Sequence, residues 1–237
     1  MPYNYEHFRV REYDFGNFGG PRPGEPAADF TAQTLDGKTV RLSDFFGMPV
    51  VLEAGSLTCG VYLGKIESMS RLAARFVNTQ FLVLYVREAH PGRRVPAHSA
   101  TEQKCSNAQR VQREYDERRV ILVDDLEGTA HERYGLAPDL TYILDRDGTV
   151  VYRAVWNDPK DVETVLTALE AGRTPPVQES HRFVWPSRFS FGQLAVGGVD
   201  ALLDYAINLP QLILMHMKSN SSETNQTLRE PESKSGS

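Results

Sequence analysis

The sequence predicts an α/β protein in which helices cover both faces of a central mixed β-sheet. Three apolar runs have the length of buried strands, and helical patterns separate them: residues 49–53, 81–86 and 120–123. Residues 138–152 then read as a β-hairpin with its turn at Asp147-Gly148, and a helix is expected over residues 159–171. Strands that alternate with helices are typical of parallel pairing, and the closing hairpin makes the predicted sheet mixed.

Other elements follow from local patterns. Two short extended pieces are expected at residues 29–32 and 39–42, with a turn at Asp36-Gly37 between them. A helix is expected after Cys59, because apolar residues recur there at helical spacing and form one stripe: Tyr62, Ile66, Met69, Ala73 and Phe76. A polar helix is expected over residues 101–118, between the second and third strands.

The chain divides into four predicted segments. Residues 1–26 form an arm rich in glycine, proline and aromatic residues, and residues 27–172 hold the domain. Residues 173–217 form an aromatic and helical extension, with an amphipathic helix interrupted at Pro210. We expect this extension to pack on the domain or across a homodimer. Residues 218–237 are poor in apolar side chains and are predicted to be disordered.

The composition narrows the possible functions. The chain has 237 residues, of which 41% are hydrophobic, and this suits one domain with additions. The formal net charge of -5 provides no basic surface, so nucleic acid is not an expected partner. No stretch has the length of a membrane span or the pattern of a signal peptide, and two cysteines cannot form a disulfide scaffold. We therefore expect a cytoplasmic protein.

Cys59 is the first candidate catalytic residue. It stands where the first buried strand has turned into a helix, and the unpaired amides of a helix start stabilise a thiolate. Ser56 and Thr58 place two hydroxyl groups beside it. The sequence therefore predicts an activated thiol with a pKa below that of free cysteine, and a small buried core cysteine is the alternative interpretation.

Two polar residues, Glu88 and His90, leave the end of the second buried strand. In a sheet covered on both faces, side chains at this end reach a ligand crevice, so we expect His90 to move a proton while Glu88 orients it. A structural pair that holds a loop is the alternative. His90, His98 and Cys59 lack the tight spacing of zinc ligands, so no metal or other cofactor is expected.

Cys105 is the second thiol of the chain. It falls on one helical face with Ala108, Gln112 and Tyr115, a pattern that favours core packing. A role as the resolving cysteine that forms a disulfide with Cys59 stays open, because such a bond needs the two α-carbons within about 7 Å.

Four stretches together carry a family resemblance: residues 55–59, residues 85–91, residues 96–98 with Glu102 following, and residues 134–144. In this order, with a cysteine at the first helix start and a proline before the hairpin, they resemble the thioredoxin fold. Within that fold the chain looks like the iodothyronine deiodinases and their bacterial redoxin (AhpC/TSA, peroxiredoxin-like) relatives. The resemblance covers most of residues 27–170.

The resemblance implies roles for eight residues. Five are implied to be catalytic: Cys59 in place of the reactive selenocysteine, Ser56 and Thr58 as its flanking hydroxyls, and Glu88 and His90 in a proton-relay cluster. Three are implied to bind substrate: Tyr85, which also belongs to the relay cluster, His98 and Pro138.

The chain also departs from the family pattern. Sulfur replaces selenium at Cys59, and Leu140 replaces an arginine associated with binding the iodothyronine. Leu57 and Arg119 stand where some deiodinases carry resolving cysteines, and Leu52 replaces a proline that peroxiredoxins carry. Because sulfur is the weaker acid and the poorer partner for iodine, we expect slow deiodination and no specificity for thyroid hormone.

The expected function is that of a thiol oxidoreductase without a bound cofactor. The Cys59 thiolate attacks a peroxide or another soft electrophile, and an external thiol such as thioredoxin or glutathione recycles the enzyme. Reductive dehalogenation of a halogenated aromatic is one alternative. A binding or assembly module with a vestigial cysteine is another.

Overall fold

The computed structural model describes residues 3–10, 13, 18–183 and 192–227. The strands within these ranges are β1 (Thr31–Thr34), β2 (Thr39–Arg41), β3 (Val50–Gly55), β4 (Gln80–Tyr85), β5 (Val120–Val123), β6 (Thr141–Leu144), β7 (Val150–Ala154) and β8 (Glu179–Ser180). They form one sheet in the order β2-β1-β5-β4-β3-β6-β7-β8.

Strand β3 lies in the interior of the sheet, where it pairs in parallel with β4 and antiparallel with β6. Strands β4 and β5 pair in parallel, and β6 and β7 form the hairpin, with Gly148 in its turn at a φ of 85°. The predicted mixed sheet is therefore confirmed. Because β3 and β4 are in register, with Gly55 opposite Tyr85, the loops that follow these strands leave the same edge of the sheet.

The helices are α1 (Gly60–Leu63), α2 (Ile66–Arg75), α3 (Thr101–Glu114), α4 (Thr129–Arg133), α5 (Pro159–Glu170) and α6 (Val199–Thr227). The single helix predicted after Cys59 is divided into α1 and α2. Gly64 is a poor helix former, and the Lys65 amide donates to Tyr62 O at 2.9 Å in a tighter turn, so α1 ends there.

Alternate residues of β3 face opposite layers of the molecule. Val51 packs in one hydrophobic cluster with Met69 of α2 and Val165 of α5. Leu52, on the other face, packs in a cluster that includes Phe8 and Tyr13 of the arm together with side chains of α4 and α6. The arm is thus part of the core that covers the second face of the sheet.

Helix α6 continues through Pro210, so the predicted interruption at that residue is wrong. A proline removes one helical hydrogen bond, but a long helix with many other bonds can bend around it. Helix α6 is described as far as Thr227, and the disorder predicted for residues 218–237 stays a prediction. Residues 228–237 and most of the aromatic segment, residues 184–191, lie outside the described residues.

Among the described helices, none combines the length and the apolar character that crossing a membrane requires.

Candidate active site

Cys59 lies directly before α1, as the sequence predicts. A tight turn joins it to β3, and the Cys59 amide donates to Ser56 O at 3.1 Å. Gly55 at the end of β3 has to be small, because an added β-carbon would lie 2.6 Å from the Tyr62 ring. The side chain of Cys59 is buried, with 2% of the residue exposed to solvent.

Glu88 is the centre of a buried hydrogen-bond network behind the Cys59 turn. Its Oε2 accepts from the amide of Thr58 at 2.9 Å and from the hydroxyl of Thr58 at 2.7 Å. Its Oε1 accepts from Tyr85 Oη at 2.6 Å, His98 Nε2 at 3.0 Å and Asn107 Nδ2 at 3.2 Å. Five donors therefore converge on one carboxylate.

These donors keep Glu88 ionised. Burial raises the pKa of the Glu88 carboxyl, but the hydrogen bonds from His98, Tyr85 and Thr58 together outweigh it and hold the pKa below its ordinary value. The charge is therefore permanent near neutral pH and fixes the orientation of every donor around it.

The network joins the loop after β3 to the loop after β4. The Leu57 amide donates to Tyr85 Oη at 3.1 Å, and the Ala89 amide donates to Ser56 Oγ at 3.2 Å. The His90 amide donates to Thr58 Oγ1 at 3.0 Å. The Thr58 hydroxyl uses its proton on Glu88, so it holds the loop and not the thiol. The predicted contact of these hydroxyls with a thiolate is replaced by a structural role for Thr58.

His90 does not contact Glu88 through its ring, so the predicted Glu88–His90 pair is wrong. Its ring packs against Phe8 at a centroid distance of 4.4 Å and against Tyr205 of α6 at 5.4 Å. Within the described residues, Nδ1 of His90 has no hydrogen-bond partner. Burial lowers the pKa of His90 to about 4, so the imidazole is neutral at physiological pH.

His98 takes the position beside Glu88 that the sequence assigns to His90. Its side chain is fully buried, which places it behind the Cys59 turn and not on an open substrate surface. Tyr85 lies in the same network, and Pro138 is buried just before β6. Glu88 holds Tyr85 and His98 in the interior of the protein, and the substrate-binding role of Tyr85, His98 and Pro138 stays a prediction.

The burial of Cys59 opposes the predicted acidity of its thiol. Burial raises the pKa of the thiol to about 12, and the negative charge of Asp139 adds to the increase. The backbone amides of Tyr62 and Val61 lower the pKa, as expected at a helix start, as does Lys65. The local pattern was interpreted correctly, but the depth of burial was not visible in it.

Asp139 belongs to a second buried polar cluster. Lys65 Nζ donates to Asp139 Oδ2 at 2.5 Å and also to the carbonyl of Asn157, whose amide donates to Asp139 Oδ2 at 3.1 Å. Burial and the nearby Glu53 outweigh Lys65 and raise the pKa of Asp139 to about 7.

A third cluster lies on the side of β3 that faces the helices. Arg119 forms an ion pair with Glu53 and another with Glu117, whose Oε2 is 2.6 Å from Arg119 Nη2. Tyr62 Oη donates to the same Glu117 oxygen at 2.9 Å, and Asn157 Nδ2 donates to Glu53. These buried groups connect α1 to the sheet beneath Cys59.

Cys105 is half-buried on α3 and packs against the hydrophobic cluster that contains Cys59. Both cysteines are free thiols. The buried face of α3 carries Lys104, Asn107 and Ala108, so the face predicted from Cys105 is rotated from the observed one. The role of Cys105 in disulfide resolution stays a prediction.

Sequence reasoning missed Asn107, Asp139 and the arm as parts of the site. A signal existed for Asn107, since a polar residue next to Ala108 in a helical pattern can face inward when a buried charge needs a donor. The described residues bring together no group of three or more histidine, cysteine, aspartate or glutamate side chains suited to hold a metal ion.

Comparison with known proteins assigns the chain to a family. The sequence profile of the iodothyronine deiodinase family matches residues 8–170, more than half of the chain. The chain belongs to the iodothyronine deiodinase family. The match includes the loops that carry Cys59, Glu88 and His98.

Curated members of the deiodinase family also match the chain. Thyroxine 5-deiodinase of Gallus gallus is 29% identical in an alignment of 143 residues that covers 55% of this chain and 55% of the relative. The Bos taurus enzyme is 28% identical in an alignment of 133 residues that covers 52% of this chain and 44% of the relative. The chain thus spans about half the length of the curated relatives it matches.

Solved structures support the thioredoxin-like fold of this deiodinase family member. An uncharacterized conserved protein from Geobacillus kaustophilus superposes with a TM-score of 0.55 at 21% identity and covers 67% of this chain and 87% of its own. A putative thiol:disulfide interchange protein from Chlorobium tepidum gives a TM-score of 0.51 at 21% identity, covering 63% and 96%. Both similarities concern the fold alone.

Proposed function

We propose that the protein is a thiol-dependent oxidoreductase whose nucleophile is Cys59. The observation that carries this proposal is the position of the thiol at a helix start, on a turn that the ionised Glu88 fixes through both polar groups of Thr58. A vestigial cysteine would not need a turn held by so many directed bonds. Membership of the deiodinase family supports the same redox class.

The proposed reaction is reductive dehalogenation of an activated aromatic carbon. The Cys59 sulfur attacks the halogen, so a sulfur–halogen bond forms, the carbon–halogen bond breaks, and the carbon takes up a proton. One external thiol then displaces halide and forms a mixed disulfide with Cys59. A second thiol releases Cys59 as the free thiol and leaves the reductant oxidised as its disulfide.

His90 is the proposed proton carrier. Its Nδ1 has no partner within the described residues, and its ring lies next to Phe8, on the same side of the molecule as the arm residue Tyr13. A charge on Cys59 is one of the smaller causes that raise the pKa of Tyr13, behind burial of its hydroxyl. We propose that the neutral His90 imidazole takes the proton of the Cys59 thiol and passes it to the carbon that loses the halogen, without orientation by Glu88.

The aromatic rings around His90 favour an aromatic substrate. Phe8 packs against Tyr13 and Tyr205, and an aromatic ligand can take the place of one of these rings. Thyroxine is proposed to be a poor substrate, because Leu140 is a fully buried apolar side chain where the deiodinase pattern has an arginine. Reduction of peroxides, which the sequence ranks first, stays a prediction, as does the identity of the thiol reductant.

The test is a comparison of electrophiles with dithiothreitol as reductant. Wild type and Cys59→Ser are incubated with an ortho-iodinated phenol, thyroxine or hydrogen peroxide, and iodide release and peroxide loss are followed. The proposal expects iodide release from the small phenol that depends on Cys59 and exceeds release from thyroxine. Peroxide consumption without iodide release would replace the dehalogenase with a peroxidase, and no activity dependent on Cys59 would favour a binding module.

A further inference from the structure

Aromatic side chains from both ends of the chain meet over His90. Phe8 of the arm packs on the His90 ring at 4.4 Å, and Tyr205 of α6 packs on it at 5.4 Å. Tyr5 donates its hydroxyl to the carbonyl of Ala89 at 2.9 Å, one residue before His90. The arm therefore lies directly on the loop that carries the proposed proton carrier.

Arg87 fastens the arm to the same loop. Its guanidinium carbon lies 5.1, 4.9 and 5.0 Å from the ring centroids of Tyr3, Tyr5 and Tyr13. Its Nη1 also donates to the carbonyl of Tyr3 at 2.9 Å. Attraction between a cation and an aromatic ring is worth about 0.5–1 kcal/mol at exposed sites and more when the groups are desolvated, so the cage holds the arm by several weak contacts.

Helix α6 clamps the arm from outside. The Asn208 side chain accepts from the Val10 amide at 3.3 Å and donates to the Phe8 carbonyl at 3.2 Å. His7 Nδ1 lies 3.0 Å from the Asp204 carboxylate. The arm and α6 are thus held to each other, and we call residues 3–10, Tyr13 and α6 together the arm cover.

The start of α6 and the turn directly before it are in turn docked on the loop after His90. The Arg94 amide donates to the Gly197 carbonyl at 3.1 Å, and the Arg93 amide donates to Asp200 Oδ2 at 2.8 Å. Gly197 has to be glycine for this approach, since a β-carbon would lie 2.6 Å from the His90 carbonyl. The cover is therefore fitted closely to the active-site loop.

We propose that the arm cover is an autoinhibitory device that closes over His90, whose loop is bonded to the Cys59 turn, and that it has to move before an electrophile reaches the thiol. Nucleophilic attack requires direct contact with the sulfur, and Cys59 is 2% exposed. The cover reaches the surroundings of Cys59 at two points: the His90 amide donates to Thr58 Oγ1, and Val196, just before α6, packs against the hydrophobic cluster that contains Cys59. The described ties between the arm and α6 are hydrogen bonds, an ion pair and ring contacts, and opening also has to lift the buried Phe8 and Val10 from the core. The inference rests on the proposed function, because it concerns regulation of the same thiol.

The test measures access to Cys59 without any turnover. Alkylation by iodoacetamide is followed in a Cys105→Ser background, where Cys59 is the remaining thiol of the two in the chain. Asn208→Ala removes the two hydrogen bonds that this side chain makes to the arm, and Phe8→Ala removes the ring on His90. Each release variant should be alkylated at least about tenfold faster than the background, since two hydrogen bonds of ordinary strength correspond to about this change in an opening equilibrium.

Matched controls come from the same two elements. Glu6→Ala in the arm and Gln211→Ala in α6 change exposed residues and should alkylate at the background rate. Amide hydrogen exchange in β3 and β4 should also stay unchanged, while exchange in residues 3–10 and 199–208 increases. Release variants that alkylate no faster than the controls would overturn the proposal. Faster alkylation accompanied by equally faster exchange in β3 and β4 would overturn it too, because global unfolding would then expose the thiol.

Discussion

Replacing Glu88 with glutamine tests the network that holds the Cys59 turn. Oε2 of Glu88 accepts two bonds from Thr58, and Oε1 accepts three from Tyr85, His98 and Asn107. Glutamine keeps one oxygen and places a donor group where the other stood, so at least two bonds are lost in either orientation. Bonds to a charged group contribute about 1.5 kcal/mol or more each, so the free energy of unfolding should fall by about 3 kcal/mol at pH 7.

The measurement is urea unfolding followed by far-ultraviolet circular dichroism. Because the pKa of Glu88 in the folded protein lies below its value in the unfolded chain, its charge stabilises the fold above about pH 4, and this contribution is lost as the pH falls further. The difference in the free energy of unfolding between wild type and Glu88→Gln should therefore become smaller below about pH 4. Glu102→Gln, an exposed change on α3, is the control. If Glu88→Gln lowered the free energy of unfolding by less than about 1 kcal/mol, as little as the control does, the reasoning would be refuted.

Three further changes test other parts of the site. Arg119→Leu leaves the Glu53 and Glu117 carboxylates buried without their cation, so the free energy of unfolding in urea should fall by about 3–5 kcal/mol. The control Arg118→Leu changes an exposed ion pair and should lower it by less than about 1 kcal/mol. Burial lowers the pKa of His131 to about 3. The free energy of unfolding of the wild type should therefore fall by about 2 kcal/mol between pH 7 and pH 5, and that of His131→Gln should not show this fall. Equal acid sensitivity of the two proteins would count against a neutral buried imidazole. With added thiol, Cys105→Ser should turn over substrate at the rate of the wild type. If mass spectrometry instead finds a dominant disulfide between Cys59 and Cys105 in the wild type, Cys105 has the resolving role.

Local patterns were enough to predict the sheet and the place of Cys59. The apolar run that contains Val51 and Leu52 is buried on both faces, and such runs are recognisable without tertiary information. The division between α1 and α2 was missed, because Lys65 reads as a solvent-exposed helical residue until Asp139 is brought beside it. That contact joins residues 74 positions apart.

The partners of the candidate catalytic groups depended on tertiary contacts. Glu88 and His90 are two positions apart, which suggested a pair, but the carboxylate points to His98 and Thr58 across the two loops. The acidity of Cys59 was predicted from its helix start, whereas Cys59 is buried in a cluster with side chains far along the chain, on β4, α3 and β5, and the charge of the distant Asp139 also raises its pKa. Spacing along the sequence carries no information on how deeply a distant segment covers a site.

The central claim is that Cys59 is the residue that exchanges electrons with a thiol. It is tested most directly by allowing a single turnover with an ortho-iodinated phenol and a limiting amount of a large thiol, then quenching with acid. Peptide mass spectrometry should find the reductant joined to Cys59 as a mixed disulfide, with one iodide released for each adduct formed. An adduct on Cys105, or iodide release without any adduct on Cys59 and unchanged in Cys59→Ser, would contradict the account.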